Sequence, residues 1–372
     1  MTHPYRLIDE AAIPSPALIF FPEIIRRNIA EVIAMVGGPG RLRPHCKTHK
    51  TLEIIRMQLA AGVLKHKCAT IAEAEMLALA DAPEVLIAYP LVGPNLHRFV
   101  KLIQKYPRTE FTAVADHPAM IEALSDVVSG NGLSVAVLVD VNVGHDRTGV
   151  DISGVEGLYR LIARSPGLRT GGFHIYDGHN SMEHHEDREA AVRTLLTPVL
   201  ALRAKLERSG MVVPRLVCGG TPCFPIYAKI HDIPGLECSP GTYVLQDFGY
   251  GSKYTDLSAI TPAAVLLTRV VSLPTAKRVT LDLGTKAVAS DPPAGKRVHL
   301  LDFAPHTPVG HNEEHYIVET PHASRYQPGD VVYALPSHIC PTVALHKEAL
   351  IAENGLIVGS WPIVARDRVL TV

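Results

Sequence analysis

The sequence predicts an α/β protein: a (β/α)8 TIM barrel followed by a C-terminal β domain. Three observations predict it. Between residue 22 and about residue 250, short β-rich apolar runs alternate with longer stretches of helical period, which is the pattern of βαβ units and a parallel sheet. Eight such runs can be counted, the number that closes a barrel. From about residue 256 the texture becomes β-rich and Gly/Pro-punctuated, without long helices. An open doubly wound sheet is the competing architecture, but no GxGxxG opens a helix here.

The expected barrel strands are LRPHC (42–46), HKCAT (66–70), EVLIAYP (84–90), EFTAVAD (110–116), SVAVLVDV (134–141), GGFHIYD (171–177), RLVCGG (215–220) and LECSPGTY (236–243). Helical stretches fall between them at 22–36, 52–62, 71–82, 96–106, 118–130, 155–165 and 186–210. The last follows an acidic, His-rich turn and stops at Gly210, as helix start and stop signals require. The expected domains are therefore a barrel over 22–255 and a β domain over 256–372. The N-terminal 1–21, with its ALIFF run, joins the β domain.

Composition narrows the function classes. At 372 residues, 47% hydrophobic and 20% charged, the chain can bury a sizeable core. A formal net charge of −1 removes a whole-protein basic field for nucleic acid. No apolar run reaches bilayer length, and MTHPYRLIDEAA has no apolar signal core, so neither a membrane span nor a secretory leader is expected. Six scattered cysteines without a CxxC pair point to a reduced, cytoplasmic setting.

In such a barrel the chemistry sits at the C-terminal strand ends. Those ends offer Lys47, Thr70, Tyr89, Asp116, Asn142 with Arg147, Tyr176 with His179, Gly219–Gly220–Thr221, and Tyr243. The stretch RLRPHCKTHK (41–50) reads as a polyanion patch, a metal cluster or the seat of a reactive lysine. At the end of a barrel strand the third reading gains weight. Burial, with Arg41, Arg43 and Lys50 nearby, would favour the neutral amine of Lys47. The CGGTP turn (218–222) lets backbone N–H groups approach a phosphate. Far along the chain, His338 and Cys340 in LPSHICPT are two apart, so an extended segment would present both from one face as a soft pair for a divalent metal. HNSMEHHEDRE (179–189) reads as a solvated loop and helix start.

The string PHCKTHK resembles the motif of the D-threonine aldolase and D-serine dehydratase family. DRTGV, YDGH, the GG turn, GTYVLQD, DLGTKAVASD, NEEH and PSHIC extend the resemblance nearly end to end. These are pyridoxal phosphate enzymes of alanine-racemase-like fold, so the resemblance implies a PLP-binding barrel, a β domain and a homodimer. It implies Lys47 as the Schiff-base lysine, with Lys50 as competitor, and Arg147 near the cofactor's phenolic oxygen. Tyr176 would lie at the pyridine ring, Gly219, Gly220, Thr221 and Tyr243 about the cofactor, and His179 as a base. His338 and Cys340 would hold zinc or manganese, with magnesium also admissible. A small D-β-hydroxy amino acid is the implied substrate, with no nucleic-acid or membrane partner.

One departure matters. Ser239 in CSPGTY stands where alanine racemase has an arginine facing the pyridine nitrogen, which makes a racemase the remote alternative. YDGH favours an aldolase giving glycine and an aldehyde. The HxC pair favours a dehydratase acting on D-serine or D-threo-3-hydroxyaspartate. The aldolase is the expected activity. A non-catalytic PLP barrel is disfavoured by the 115 or so C-terminal residues.

Overall fold

The structure is a computed structural model describing residues 4–372. It divides into two compact units. One comprises Ala30–Lys47, Leu52–Gly241 and Asp367–Val372; the other comprises the N-terminal segment through Ile29, Thr48–Thr51 and Thr242–Arg366.

After a 3-10 turn at Glu10–Ala12 come strand β1 (Ala17–Phe20) and helix α1 (Pro22–Val36). The parallel strands follow: β2 (Lys65–Cys68), β3 (Glu84–Ile87), β4 (Glu110–Ala115), β5 (Val135–Asn142), the two-residue β6 (Val150–Asp151), β7 (Leu168–Ile175), β8 (Leu216–Cys218) and β9 (Leu236–Cys238). Between them run α2 (Leu52–Ala60), α3 (Ile71–Leu79), α4 (Pro94–Lys105), α5 (Pro118–Gly130), α6 (Ile152–Arg164), α7 (His185–Arg208) and α8 (Phe224–Ala228). The sheet order is β2-β3-β4-β5-β7-β8-β9, with β6 beside β5.

The expected first barrel strand is reduced to two parallel bridges, Leu42 to Cys238 and His45 to Lys67. Pro44 has no N–H to give to a ladder. The segment still closes the ring: Arg43 N–H donates to the Cys238 carbonyl at 2.9 Å, and Lys67 N–H donates to the Pro44 carbonyl at 2.8 Å. With it, eight staves close a barrel among the described residues. The last expected strand stops at Cys238, because Pro240 follows and the chain turns into a 3-10 helix at Thr242–Val244.

Strand parity sorts the barrel interior into tiers. Leu86, Val114, Leu138 and Val217 meet as an apolar layer drawn from four strands. One end holds an ionic tier: buried Arg43 donates to Glu237 at 2.6 Å and to Glu84 at 2.9 Å, while Lys65 donates to Glu237 at 2.8 Å. The other end holds Lys67, His174 and Asp140, all buried.

The second unit is a mostly antiparallel sheet. β10 (Ala264–Thr275), β11 (Arg278–Leu281), β12 (Val298–Leu301), β13 (Thr307–His311), β14 (Tyr316–Glu319), β15 (Val331–Pro336), β16 (Glu348–Glu353) and β17 (Leu356–Pro362) order as β13-β14-β11-β10-β1-β16-β17. β15 pairs with both β10 and β12. Within this sheet β1 runs antiparallel to β10 and parallel to β16. All four residues of β1 are buried, so an inner strand covered on both faces shows no alternation. Two short helices, α9 (Phe248–Lys253) and α10 (Ile339–Leu345), complete this unit. Among the described residues no helix is long and apolar enough to cross a membrane.

Candidate active site

In the barrel unit, three cationic side chains surround one aromatic ring. Tyr176 follows β7, and its centroid lies 5.8 Å from Lys47 Nζ, 5.9 Å from Lys67 Nζ and 4.8 Å from the Arg147 guanidinium carbon. Such cations are drawn to the ring face. The ring is closely fitted as well. A Cβ built on Gly178 would stand 2.5 Å from the Tyr176 hydroxyl, and one on Gly220 would stand 3.1 Å from Tyr176 Cε2. Glycines at both places let the turn after β8 lie against the ring. Gly219 has φ +77° and donates its N–H to the Ile175 carbonyl at 2.9 Å. The Thr221 hydroxyl accepts from Gly241 N–H at 3.2 Å.

Lys47, Arg147, Tyr176, Gly219, Gly220 and Thr221 therefore belong to the same unit, and the first three converge directly. His179 is exposed beside them, its ring 5.8 Å from that of His145, which is in turn 5.5 Å from Tyr176. The Arg147 loop is held from three sides. Thr148 donates to Asp140 at 2.9 Å, Gly149 N–H donates to Asp116 at 2.8 Å, and the Asn142 amide donates to Asp146 at 2.9 Å. Thr70 caps α3, accepting from Glu73 N–H, and Tyr89 is exposed. A cavity of about 430 Å³ lies next to His179 and Asn142. Its lining by Ile152, Leu195 and Pro198 places it against α6 and α7, apart from the cation cluster.

The cations expected to crowd Lys47 are engaged elsewhere. Arg41 donates to the carbonyls of Val36, Tyr227, Ala228 and Ile230, Arg43 is neutralised in the ionic tier, and Lys50 in the other unit donates to the Ala365 carbonyl. Sequence reading missed Lys67. It is buried, its Nζ is 3.4 Å from His174 Nε2, and His174 Nδ1 is 2.6 Å from Asp140. Burial, then the charge of Lys47, lowers the Lys67 amine to about 7. Burial also lowers His174. Asp140 is held below its usual value because His174, Thr148 and Lys67 outweigh the effect of burial. The available signal was a lone aspartate in the apolar strand SVAVLVDV and a histidine in GGFHIYD, since a buried carboxylate implies a partner.

In the β unit, His338 and Cys340 do not lie in an extended segment. His338 caps the N-terminus of α10 and Cys340 sits in its first turn. Pro341, tolerated in a first helical turn, lets the helix begin there. The pair still meets. Burial opposes a charge on His338, but the Cys340 sulfur and Asp291 outweigh it and raise its pKa to about 9. Asp291 stands 2.5 Å from His338 Nδ1, and Thr48 Oγ1 is 3.1 Å from Cys340 Sγ. An imidazole backed by a carboxylate and facing a thiol is a donor set that fits a soft divalent metal. Tyr243 is fully buried in the Thr242–Val244 turn of this unit. In the barrel unit, His45, Cys46 and Glu73 also bring one donor each within 4.8 Å of one another. The cations and glycines about Tyr176 likewise suit an anionic, planar, carbonyl-bearing cofactor.

Comparison with known proteins gives consistent matches. Residues 22–245 match the model of the alanine racemase N-terminal domain, and residues 263–352 match the model described as "Putative serine dehydratase domain". The chain is 30% identical over 335 residues to a D-threonine aldolase of an Arthrobacter species, covering 87% of this chain and 85% of that one. It is 26% identical over 375 residues to a 3-hydroxy-D-aspartate aldolase of Paracoccus denitrificans, covering 97% and 94%. A crystal structure of D-threonine aldolase from Filomicrobium marinum superposes with a TM-score of 0.86 at 24% identity, covering 98% of this chain and 99% of that one.

Proposed function

Given that this chain belongs to the D-threonine aldolase and D-serine dehydratase family of alanine-racemase-like, pyridoxal-phosphate-dependent lyases, we propose that it catalyses retro-aldol cleavage of D-β-hydroxy amino acids to glycine and an aldehyde. The observation that supports this most is the convergence of Lys47, Lys67 and Arg147 on Tyr176 beside a two-glycine turn. In this reading Lys47, Arg147, Tyr176, Gly219, Gly220, Thr221 and Tyr243 hold pyridoxal phosphate. His338 and Cys340 hold a divalent metal, zinc or manganese. The bound cofactor supplies an electron sink for the substrate's Cα, and the metal supplies a Lewis acid that acidifies a hydroxyl.

The chain's own groups then divide the work. Arg147 carries donors only and so favours a deprotonated phenolic oxygen. The two glycines would admit the phosphate, and the Lys47 amine would hold the cofactor at its carbonyl end. His179 takes the proton of the β-hydroxyl, the Cα–Cβ electron pair stays with Cα, and Cβ becomes the aldehyde carbon. One proton is given to Cα by Lys47, and the proton held on His179 is released in its place, so that glycine and the aldehyde form with no net change in the enzyme. The dehydratase reading is favoured by Cys340 in the metal pair and by the match over residues 263–352. There Lys47 removes the Cα proton, hydroxide leaves Cβ, and the products are a keto acid and ammonia. The same family reading makes the enzyme a cytoplasmic homodimer.

Holoenzyme reconstituted with pyridoxal phosphate and zinc or manganese is offered D-threonine, D-serine and D-threo-3-hydroxyaspartate. Glycine plus an aldehyde is the expected outcome. Keto acid plus ammonia overturns it in favour of the dehydratase, and inversion at Cα in favour of a racemase. Lys47→Ala should abolish the absorbance of bound cofactor; if Lys50→Ala does so instead, the lysine assignment is wrong.

A further inference from the structure

Beneath the Tyr176 ring an unbroken file of side chains crosses the barrel interior. Lys67 on β2 meets His174 on β7 at 3.4 Å, His174 meets Asp140 on β5 at 2.6 Å, and Thr148 closes on Asp140 at 2.9 Å. With Asp140 ionised, His174 carries its proton on Nδ1, and Nε2 is left to accept from Lys67. No charged neighbour neutralises Lys67 by direct contact among the described residues. Its Nζ stands as near the Tyr176 centroid as that of Lys47, 5.9 Å against 5.8 Å. An ammonium so placed, 2% exposed and sharing one ring with Lys47, whose charge acts on it, is costly. An amine there is a base.

We propose that Lys67 is the buried proton acceptor of this site, relieving Lys47 of its proton, with His174 and Asp140 as the positioning residues that orient Lys67 and offset its charge once it has accepted. The inference rests on the reading of Lys47 as the amine that captures the cofactor's aldehyde. In the step, the Lys47 ammonium gives one proton to the Lys67 amine, which becomes an ammonium. The freed lone pair on Lys47 forms the C–N bond to the aldehyde carbon, and the aldehyde oxygen leaves as water with the two hydrogens remaining on that nitrogen. No oxidant or further reactant is needed. A base near neutrality is the efficient choice for such a transfer at physiological pH.

The groups that act on Lys67 from the surrounding elements are Arg43 on the first stave, Lys47 in the 3-10 turn Cys46–Thr48 that follows it, Asp140 on β5, and Cys218 on β8. His174 on β7 contacts it, His45 is its bridge partner, and Lys65 and His66 share its strand. Lys47 and Arg43 disfavour its charged form, whereas Asp140 favours it.

The test uses full-length protein freed of cofactor. Pyridoxal phosphate is added across a pH series, the product is trapped with borohydride, and peptide mass spectrometry locates and times the label. In the wild type the trapping rate at Lys47 should rise with pH about a midpoint near 7. Lys67→Met should move that midpoint up by more than one pH unit. Asp140→Asn should move it down, because removing the carboxylate disfavours the Lys67 ammonium. A merely structural role would lower the rate at every pH and leave the midpoint in place. That result, or an upward shift in Asp140→Asn, overturns the proposal. If Lys67→Met does not fold, Asp140→Asn decides alone by the direction of the midpoint. Label appearing on Lys67 rather than Lys47 refutes the underlying lysine assignment instead, so the two failures are distinguishable.

Discussion

Gly178→Ala isolates the placement of the Tyr176 ring from the stability of the fold. A Cβ at 178 would stand 2.5 Å from both Cζ and Oη of Tyr176 and 2.6 Å from Cε1. Non-bonded carbons need about 3.5–4.0 Å, so the ring must yield by about 1 Å. It can do so, because the clash is with the far end of a side chain. Its other edge lies along the β8 turn, where a Cβ added at Gly220 would stand 3.1 Å from Cε2. The displacement therefore falls on the contacts with Lys47, Lys67 and Arg147, while the barrel ladders are untouched. A misplacement of this size costs on the order of 100-fold in rate, or about 2.7 kcal/mol of transition-state stabilisation. The assay compares melting temperature, affinity for pyridoxal phosphate and kcat/KM in wild type and variant. Stability should change little while cofactor affinity or kcat/KM drops on the order of 100-fold. Wild-type affinity and kcat/KM in the variant would refute the reasoning. A large parallel loss of stability would refute it too, since the fold and not the ring would then be the cause.

Two further outcomes are expected. Burial, then the charge of Arg43, holds His66 at about 3, against an ordinary 6.5. The unfolded chain thus binds a proton that the folded one refuses between those values, and stability falls as pH drops through that window by about 1.36 kcal/mol per unit. His66→Leu should therefore gain about 2 kcal/mol on the wild type between pH 6.5 and pH 5 in urea unfolding, and an unchanged gap counts against it. In the β unit, Asp291→Asn removes the carboxylate 2.5 Å behind His338. It should weaken zinc or manganese binding about 10- to 100-fold, read by chelator competition on the cofactor-loaded protein. Equal affinity would mean that the carboxylate does not support the metal pair.

The alternation of apolar runs and helical periods was enough to find the barrel, because each βαβ unit repeats the same local requirement. It overextended the staves at the two ends of the sheet for one reason. Pro44 and Pro240 cannot donate to a ladder, so the first stave survives as bridges and the last ends at Cys238. It also took LPSHICPT for an extended segment, though Pro341 marks the first turn of α10. A proline in a β-rich region reads equally well as a strand end or a helix start, and only packing decides.

The charges of RLRPHCKTHK show why a site is harder to read than a fold. Arg43 lies on the bridged first stave, whereas Lys47 sits in the 3-10 turn Cys46–Thr48 that follows it, so the two side chains serve different levels of the barrel. Arg43 accordingly meets Glu237 and Glu84 in the ionic tier, far from the ring. The second lysine at the ring is twenty positions from Lys47 in the chain and one strand away in space. Lys67 pairs in register with Leu86, and Leu86 belongs to the interior layer, so the pleat turns Lys67 inward as well. Linear proximity therefore pointed to Arg41 and Arg43, whose charges are engaged by other partners, while register, which a single sequence does not reveal, brings Lys67 to the same ring as Lys47.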